Sequence, residues 1–250
     1  MKTIINAELF KVHKKKIPVV LLGLNCLPLL YALGIYYQWS WISFSGEFDL
    51  IRYVSAMFQL LFILGVPLIL FMYIGSSILG TERIQGQLIL EKTRASSLVT
   101  LIAAKFISML ILILLYCAIN IIISTLCYVF LIAKTEYAMN AVIQFDPINI
   151  NLIISCAAAI LYIILSTFFS MFISIKYSAI VSTISGCILF AVLSLGTGAS
   201  EIGQWIPGYF ALNASANSNS MTISYQFLIC ILLILVLPIV STKLFQKIDL

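Results

Sequence analysis

Long apolar runs alternate with short polar stretches along this chain. Six runs approach or exceed the roughly 18 to 20 residues that cross a hydrocarbon core of about 30 Å as a helix. The runs are Ile17–Tyr37, Tyr53–Leu79, Leu98–Ala133, Leu152–Ile175, Ser178–Gly196 and Ser224–Ser241. The pattern predicts an all-α, polytopic membrane protein with six transmembrane helices in a single domain, residues 1–250.

Three features predict how these spans depart from straight, separate helices. Gly65-Val66-Pro67 lies inside the second run and predicts a kink, which a membrane helix tolerates where neighbours satisfy the freed carbonyl. The third run is longer than one crossing requires, so it should tilt or project beyond the bilayer. The fourth and fifth runs are joined at Lys176-Tyr177 and should form a tight antiparallel pair.

Composition agrees with this pattern. The chain is 62% hydrophobic and 9% charged, whereas about a quarter of a soluble domain is charged. The cysteines lie inside the apolar runs, without a C-x-x-C pair or a histidine nearby, so small buried hydrophobes are expected rather than disulfides or a zinc site. They are Cys26, Cys117, Cys127, Cys156, Cys187 and Cys230.

The distribution of basic residues predicts the orientation of the spans. With six spans and an inside N-terminus, only Arg52 and Lys134 fall outside. The inside positions are Lys2, Lys11, Lys14, Lys15, Lys16, Arg83, Lys92, Arg94, Lys105, Lys176, Lys243 and Lys247. Basic residues are enriched in cytoplasmic loops, so both termini are predicted to be cytoplasmic.

Residues 1–16 are predicted to form a cytoplasmic, interfacial N-terminus. Apolar residues lie near one helical face, and the lysines would draw the segment to anionic membrane lipids. A plain topogenic signal is the other interpretation, and both can hold. A cleaved signal peptide is not favoured, because the first run is long and no clear A-x-A site ends it.

The segment 197–222 is predicted to be an extracellular loop. Trp205, Pro207 and Tyr209 lie in its middle, and Trp and Tyr favour the membrane–water boundary. A short interfacial or re-entrant element before the sixth span is expected, with an unstructured loop as the alternative. Asn213-Ala214-Ser215 matches a glycosylation sequon, a motif short enough to occur by chance.

The chemistry of an enzyme is missing from the sequence. No G-x-x-x-x-G-K-[ST] loop is present, so the chain is not expected to hydrolyse nucleotide itself. His13 has no Cys, Ser or second His arranged for a catalytic or metal site. No ionisable residue lies near the centre of a predicted span, which argues against an ion-coupled transporter. No catalytic residue, bound metal, cofactor or nucleic-acid partner is predicted.

Polar residues do occur within the spans. Serines of the fourth and fifth runs share one helical face, which is typical of close helix packing through small residues; a substrate-facing stripe is the alternative. Weak candidates for a substrate path or a dimer seam are Asn25, Gln59, Asn120, Ser166 and Ser170.

The polar segment 80–97 is predicted to be cytoplasmic and to contain a short helix over Glu82–Glu91. Glu82 would lie in its first turn, where a carboxylate meets the positive helix end. Gly86 would permit close approach of a partner backbone, and Ile84 and Leu88 would form an apolar side. An amphipathic helix on the inner leaflet, without a partner, is the other interpretation.

This layout resembles the permease subunit of a bacterial ABC exporter of the type-two class, also called the type V fold. Ala7-Glu8-Leu9-Phe10-Lys11 resembles that family's opening before the first span. Glu82-x-x-x-Gly86-x-Leu88, followed by Lys105, is similar to its coupling helix and early third span. The chain departs from the family at Ala95-Ser96-Ser97-Leu98, where relatives often carry a Pro-x-Ser-Arg turn.

The resemblance implies that a cytoplasmic ABC ATPase subunit binds ATP and Mg and receives the coupling helix in a cleft. It also implies a second permease copy or paralogue and a place in the bacterial cytoplasmic membrane. Trp205-Ile206-Pro207-Gly208-Tyr209 resembles lantibiotic-immunity and bacitracin-resistance permeases, which implies a hydrophobic peptide, drug or lipid-like cargo. The implied ATPase-coupling residues are Glu82, Arg83, Gln85, Gly86, Gln87 and Leu88.

Two other functional classes stay open on sequence alone. A stand-alone channel or secondary transporter would move its substrate without a nucleotide-binding partner. A membrane-embedded enzyme would need convergent titratable groups, which the spans almost lack, whereas a non-transporting membrane scaffold makes no such demand.

Overall fold

The computed structural model describes residues 2–40, 46–88, 91, 97–199, 202–213 and 220–246. Apart from one isolated bridge between Phe48 and Ala138, the regular structure of these residues is helical. The helices are α1 (Lys2–Lys14), α2 (Ile17–Leu24), α3 (Leu27–Tyr36), α4 (Leu50–Leu64), α5 (Val66–Ile84), α6 (Leu98–Phe130), α7 (Pro147–Ser174), α8 (Ala179–Gly196), α9 (Tyr209–Leu212) and α10 (Ser220–Gln246). The all-α prediction is confirmed.

Among the described residues, five segments are long and apolar enough to cross a membrane. They are α2 with α3, α6 with its short 3-10 extension, α7, α8 and α10. The bent pair α4 and α5 makes a sixth if the two halves form one span. Each segment overlaps one predicted run. The larger differences are that α5 ends five residues later, α7 begins five residues earlier, and α10 begins four residues earlier and ends five residues later.

The predicted kink in the second run is present at Gly65. The axes of α4 and α5 are bent by 60° there, and Gly65 has the left-handed φ of 69° that glycine adopts without strain. Pro67 lies in the first turn of α5, where its missing N–H costs no hydrogen bond. The two helices of this pair therefore run in different directions.

The long helix α7 packs against α4, α5, α8, α9 and α10 and forms the centre of the bundle. Small residues allow close packing around it. A Cβ atom on Gly75 would lie 2.8 Å from Cγ of Met171, and one on Gly186 would lie 3.2 Å from Cβ of Ser170. Helices α7 and α8 form the tight antiparallel pair that the sequence predicts, with only residues 175–178 between them.

A polar network fastens α4 to α7 at the ends remote from α1. Asp49 caps α4 and Asp146 caps α7, each accepting a hydrogen bond from a backbone N–H of the first turn. Arg52 donates to Asp146 at 2.7 Å and to Asn149 at 3.1 Å, and buried Asn149 donates to Asp49. These contacts join α4 to α7 at the end of the bundle that is predicted to face outward.

The segment before α10 is partly folded into the bundle. Phe210 and Ala211 of α9 are buried, and α9 packs against α7. A Cβ atom on Gly208 would lie 3.0 Å from the ring of Tyr162, so the backbone approaches the core closely at a φ of 99°. Within the described part of segment 197–222, a 3-10 turn at Gly203–Trp205 and the short helix α9 precede α10, while Ala214 and Ser215 of the sequon lie outside the described residues.

Candidate functional site

Five charged side chains from separate parts of the chain meet where α1 packs against α6. They are Glu8 and Lys11 of α1, Glu82 at the end of α5, Glu91 of the following polar segment, and Lys105 of α6. We call these five residues the charge cluster. In a chain that is 9% charged, it is the main polar centre among the described residues.

Lys105 lies at the middle of the cluster. Its Nζ is 2.7 Å from Oε1 of Glu8, 2.5 Å from Oε2 of Glu82 and 2.9 Å from Oε2 of Glu91. Lys11 closes the cluster on the side nearer solvent, with Nζ 3.0 Å from Glu8 and 2.9 Å from Glu82, and it also pairs with Glu91. Each ammonium is therefore shared among all three carboxylates.

Helix geometry explains why these groups meet. Glu8 and Lys11 are three residues apart and so lie on one face of α1, next to buried Val12. Helix α6 has 33 residues and is about 50 Å long at 1.5 Å per residue, well beyond a 30 Å core. Lys105 is the eighth residue of α6, about 10 Å from its start, so it is placed near the edge of an apolar layer rather than at its centre.

The cluster is buried and nearly balanced in charge. Three carboxylates and two ammonium groups leave a formal charge of −1 (−3 + 2), and the Lys105 side chain is fully buried. Withdrawing these charges from water costs several kcal/mol per ion, which the close pairing offsets. The ion pairs therefore say little about the overall stability of the fold. They do define the relative positions of the paired side chains, because removing one partner leaves an unpaired buried charge.

Two half-buried members of the cluster have shifted pKa values. Burial alone would raise the pKa of Glu91, but Lys105 and Lys11 outweigh it and hold that pKa below its usual value. Burial alone would lower the pKa of Lys11, but Glu91, Glu8 and Glu82 together raise it above its usual value. Both shifts move titration away from neutral pH, so Lys11 and Glu91 stay charged there.

The three glutamates have the spacing of a metal-binding group. One oxygen of each lies within 4.8 Å of the others. Nζ of Lys105 occupies the position between them, however, and already contacts all three carboxylates. The internal ammonium thus supplies the positive charge that a metal ion would bring, and a metal would have to displace it.

The predicted coupling segment is arranged differently from the sequence-based expectation. Helix α5 continues through a π-helical turn to Ile84, so Glu82 follows turns of helix that are already formed. A carboxylate is disfavoured near the negative end of a helix, which explains why Glu82 has two lysine partners. The apolar pattern of the second run gives no sign of this continuation. A coupling helix over Glu82–Glu91 stays a prediction, because residues 89–90 lie outside the described residues.

The remaining coupling candidates surround this helix end. Arg83 donates to the carbonyls of Ile175 and Lys176 in the α7–α8 turn, the latter at 2.9 Å. Gly86 has a φ of 70°, and apart from its chain neighbours no described residue lies within 4 Å of the position of a Cβ atom. Gln85 and Gln87 are exposed, whereas Leu88 is buried at 1% exposure. Residues 89–90 and 92–96 lie outside the described residues.

The intramembrane candidates lie apart from the cluster, inside the bundle. Asn120 donates to Asn25 at 3.0 Å, linking α6 to the turn between α2 and α3. Gln59 donates to Ser155 at 2.6 Å, linking α4 to α7. These pairs fasten neighbouring helices of one chain.

The serine stripe of α7 also faces the interior. Ser170 shares a hydrogen bond of 2.7 Å with Ser76 and donates to the carbonyl of Ser182 at 2.8 Å. Ser166 is buried, and its hydroxyl has no hydrogen-bond partner among the described residues. These positions correspond to close packing of α5, α7 and α8, which the sequence analysis favoured for the stripe.

The sequence analysis noted Glu8, Lys11 and Lys105 but did not connect them with one another, and it did not single out Glu91. The signal was a lone lysine within an apolar run. Such a lysine needs acidic partners, and the acidic residues on the same predicted side are few.

Comparison of the chain with protein-family models, with curated proteins and with solved structures finds no significant match. The fold and composition define it as a helical membrane protein with five or six spans.

Proposed function

We propose that this chain is the permease subunit of an ATP-driven ABC exporter in the bacterial cytoplasmic membrane, with both termini in the cytoplasm. The charge cluster is the observation that carries the proposal. It joins the N-terminal helix, the end of the second span, the polar segment and the start of the third span through one set of ion pairs. A force applied to the polar segment would therefore reach all these elements together.

The docking surface for the ATPase is the exposed turn after α5. Gln85 and Gln87 project from it, and Gly86 adds no side chain to its outer face. Buried Leu88 and the ion pairs of Glu91 anchor the turn from below. An exposed polar turn on a rigid base suits contact with a soluble subunit that binds ATP and Mg.

The bend at Gly65 would allow a movement of the cytoplasmic turn to be transmitted to the membrane-spanning helices. Val66–Ile84 is fixed to the cluster through Glu82 at one end and meets the bend at the other. Hydrogen bonds from Arg83 also connect the cluster end of Val66–Ile84 to the α7–α8 turn. We infer that closure of two ATPase subunits tilts this inner half-span, together with α7 and α8, and opens a path for cargo.

The cargo class is a hydrophobic peptide, similar to a lantibiotic or bacteriocin, or a lipid-like drug. An apolar cavity of about 280 Å³ lies between α4, α6 and α7 and includes Phe58, Ile121 and Ile160 in its lining. The outer faces of α8 and α10 are largely uncovered, with 22% and 11% of their apolar windows buried. These faces leave room for lipid and for a second permease copy.

Reconstitution in liposomes tests this function. The chain is incorporated with an ABC ATPase subunit from the same bacterium, and efflux of a fluorescent bacteriocin-like peptide is followed. We expect efflux that requires both ATP hydrolysis and the ATPase, at least about tenfold above vesicles holding this chain alone. Equal flux without the ATPase would establish a channel or secondary transporter instead, and the exporter proposal would be abandoned.

A further inference from the structure

A groove of about 370 Å³ runs between the first span and the inner half of the second. Its lining on the first-span side includes Lys15, Ile17 and Val20, and on the α5 side Leu70, Tyr73, Ser77 and Thr81. From Leu70 to Thr81 the helix rises about 16 Å, close to half of a 30 Å hydrocarbon core. The groove thus has the length of one membrane leaflet.

The groove is amphipathic along its length. Its polar end is lined by Lys15 and by Thr81, which immediately precedes Glu82 of the cluster. The opposite end holds Val20 and Leu70, deeper within their spans. Val20 is 54% exposed and Tyr73 is 49% exposed, so the groove opens sideways to the surrounding lipid.

Lys15 is available for an external anion. None of the ion pairs among the described residues includes it. It lies in the turn between α1 and α2, where Lys16 has a left-handed φ of 57°, uncommon for a residue other than glycine. Lys14 and Lys16 are exposed beside it in sequence but do not line the groove. The carboxylate of Glu82, adjacent to Thr81, is directed to Lys11 and Lys105.

We propose that this groove binds one anionic glycerophospholipid, with the phosphate group at Lys15 and Thr81 and an acyl chain along Ile17, Val20 and Leu70. Basic pockets between membrane helices bind anionic headgroups in this way. The polar-to-apolar gradient, the leaflet length and the lysine without an acidic partner all match a lipid. A helix from a second copy would match only the apolar part. The proposal needs membrane insertion alone, so a failure of ATP-driven transport would leave it standing.

Native mass spectrometry of the purified full chain in detergent tests the proposal, by titration with phosphatidylglycerol and with phosphatidylcholine of the same acyl chains. We expect wild type to prefer phosphatidylglycerol. Lys15→Gln should weaken phosphatidylglycerol binding about fivefold, equivalent to about 1 kcal/mol for one basic residue near the headgroup, and leave phosphatidylcholine unchanged. Val20→Trp should fill the groove and weaken binding of both lipids about tenfold.

Two matched variants control for general effects of charge and bulk. Lys14→Gln removes a neighbouring lysine that lies over the Phe10 ring outside the groove, and Val19→Trp adds the same bulk at a residue outside the lining. Both should bind lipid as wild type does. Equal weakening by Lys14→Gln and Lys15→Gln would overturn the site, because a diffuse basic surface would then explain the preference. Lipid binding by Val20→Trp at the wild-type level would also overturn the site. This holds even if the substitution converts a dimer to a monomer.

Discussion

Replacing Lys105 with methionine is expected to lower the free energy of unfolding by about 3 to 5 kcal/mol, the usual cost of removing one partner from a buried ion pair. The methionine matches the length of the lysine stem but leaves Glu8, Glu82 and Glu91 facing one another, with only Lys11 to balance them. Folding in mixed micelles, followed by circular dichroism during titration with sodium dodecyl sulfate, measures the change.

Lys134→Met is the matched control, because Lys134 is exposed at the opposite end of the same span and belongs to none of the described ion pairs. It should unfold as wild type does. The double variant Lys105→Met/Glu82→Gln should lose less free energy of unfolding than the two single variants lose in sum. The second substitution removes one of the carboxylates that the first leaves unpaired. Wild-type stability of Lys105→Met would show that the cluster is not the junction described above.

Gly86→Trp is expected to leave the protein folded but to abolish coupling, reducing ATP-dependent efflux at least about tenfold while ATP hydrolysis continues. Apart from its chain neighbours, no part of the chain that the structure describes lies within 4 Å of a Cβ at this position, so the indole would project from the proposed docking surface and not into the described bundle. The left-handed φ adds a local backbone cost of about 1 to 2 kcal/mol for any residue with a side chain. The ratio of peptide efflux to ATP hydrolysis in liposomes measures the effect.

Gly86→Ala separates these two effects, since it carries the same backbone cost with almost no added bulk. It should retain most of the coupling, whereas Glu82→Ala should lose it because the half-span is released from Lys105. Equal loss in Gly86→Ala and Gly86→Trp would assign the defect to backbone strain, and wild-type coupling in Gly86→Trp would contradict a docking role for the turn.

The spans were predictable because each depends on local composition. An apolar run of this length has few alternatives to a membrane helix, and Gly65 next to Pro67 specifies a break through backbone conformation alone. The tight α7–α8 pair followed in the same way from the shortness of the connection at Lys176-Tyr177. These features need no knowledge of which helices are neighbours.

The charge cluster was not predictable in the same way, because it depends on tertiary contacts. Glu8 and Lys105 are 97 residues apart, and no local pattern indicates that α1 folds against α6. The position of Glu82 was missed for a related reason. If the second span is assumed to end before Glu82, this residue looks like the first residue of a new helix. In the structure, however, α5 continues beyond Glu82 to Ile84.

Site-specific photo-cross-linking in native membranes tests whether the turn after α5 contacts an ABC ATPase. A photoreactive amino acid replaces exposed Gln85, and one replaces Tyr37, 65% exposed at the opposite end of the first span, as the control. We expect an adduct between position 85 and an ATPase subunit carrying a phosphate-binding loop, and none from position 37. Absence of that adduct at position 85, with the ATPase present in the same membranes, would contradict the proposed docking role of the turn.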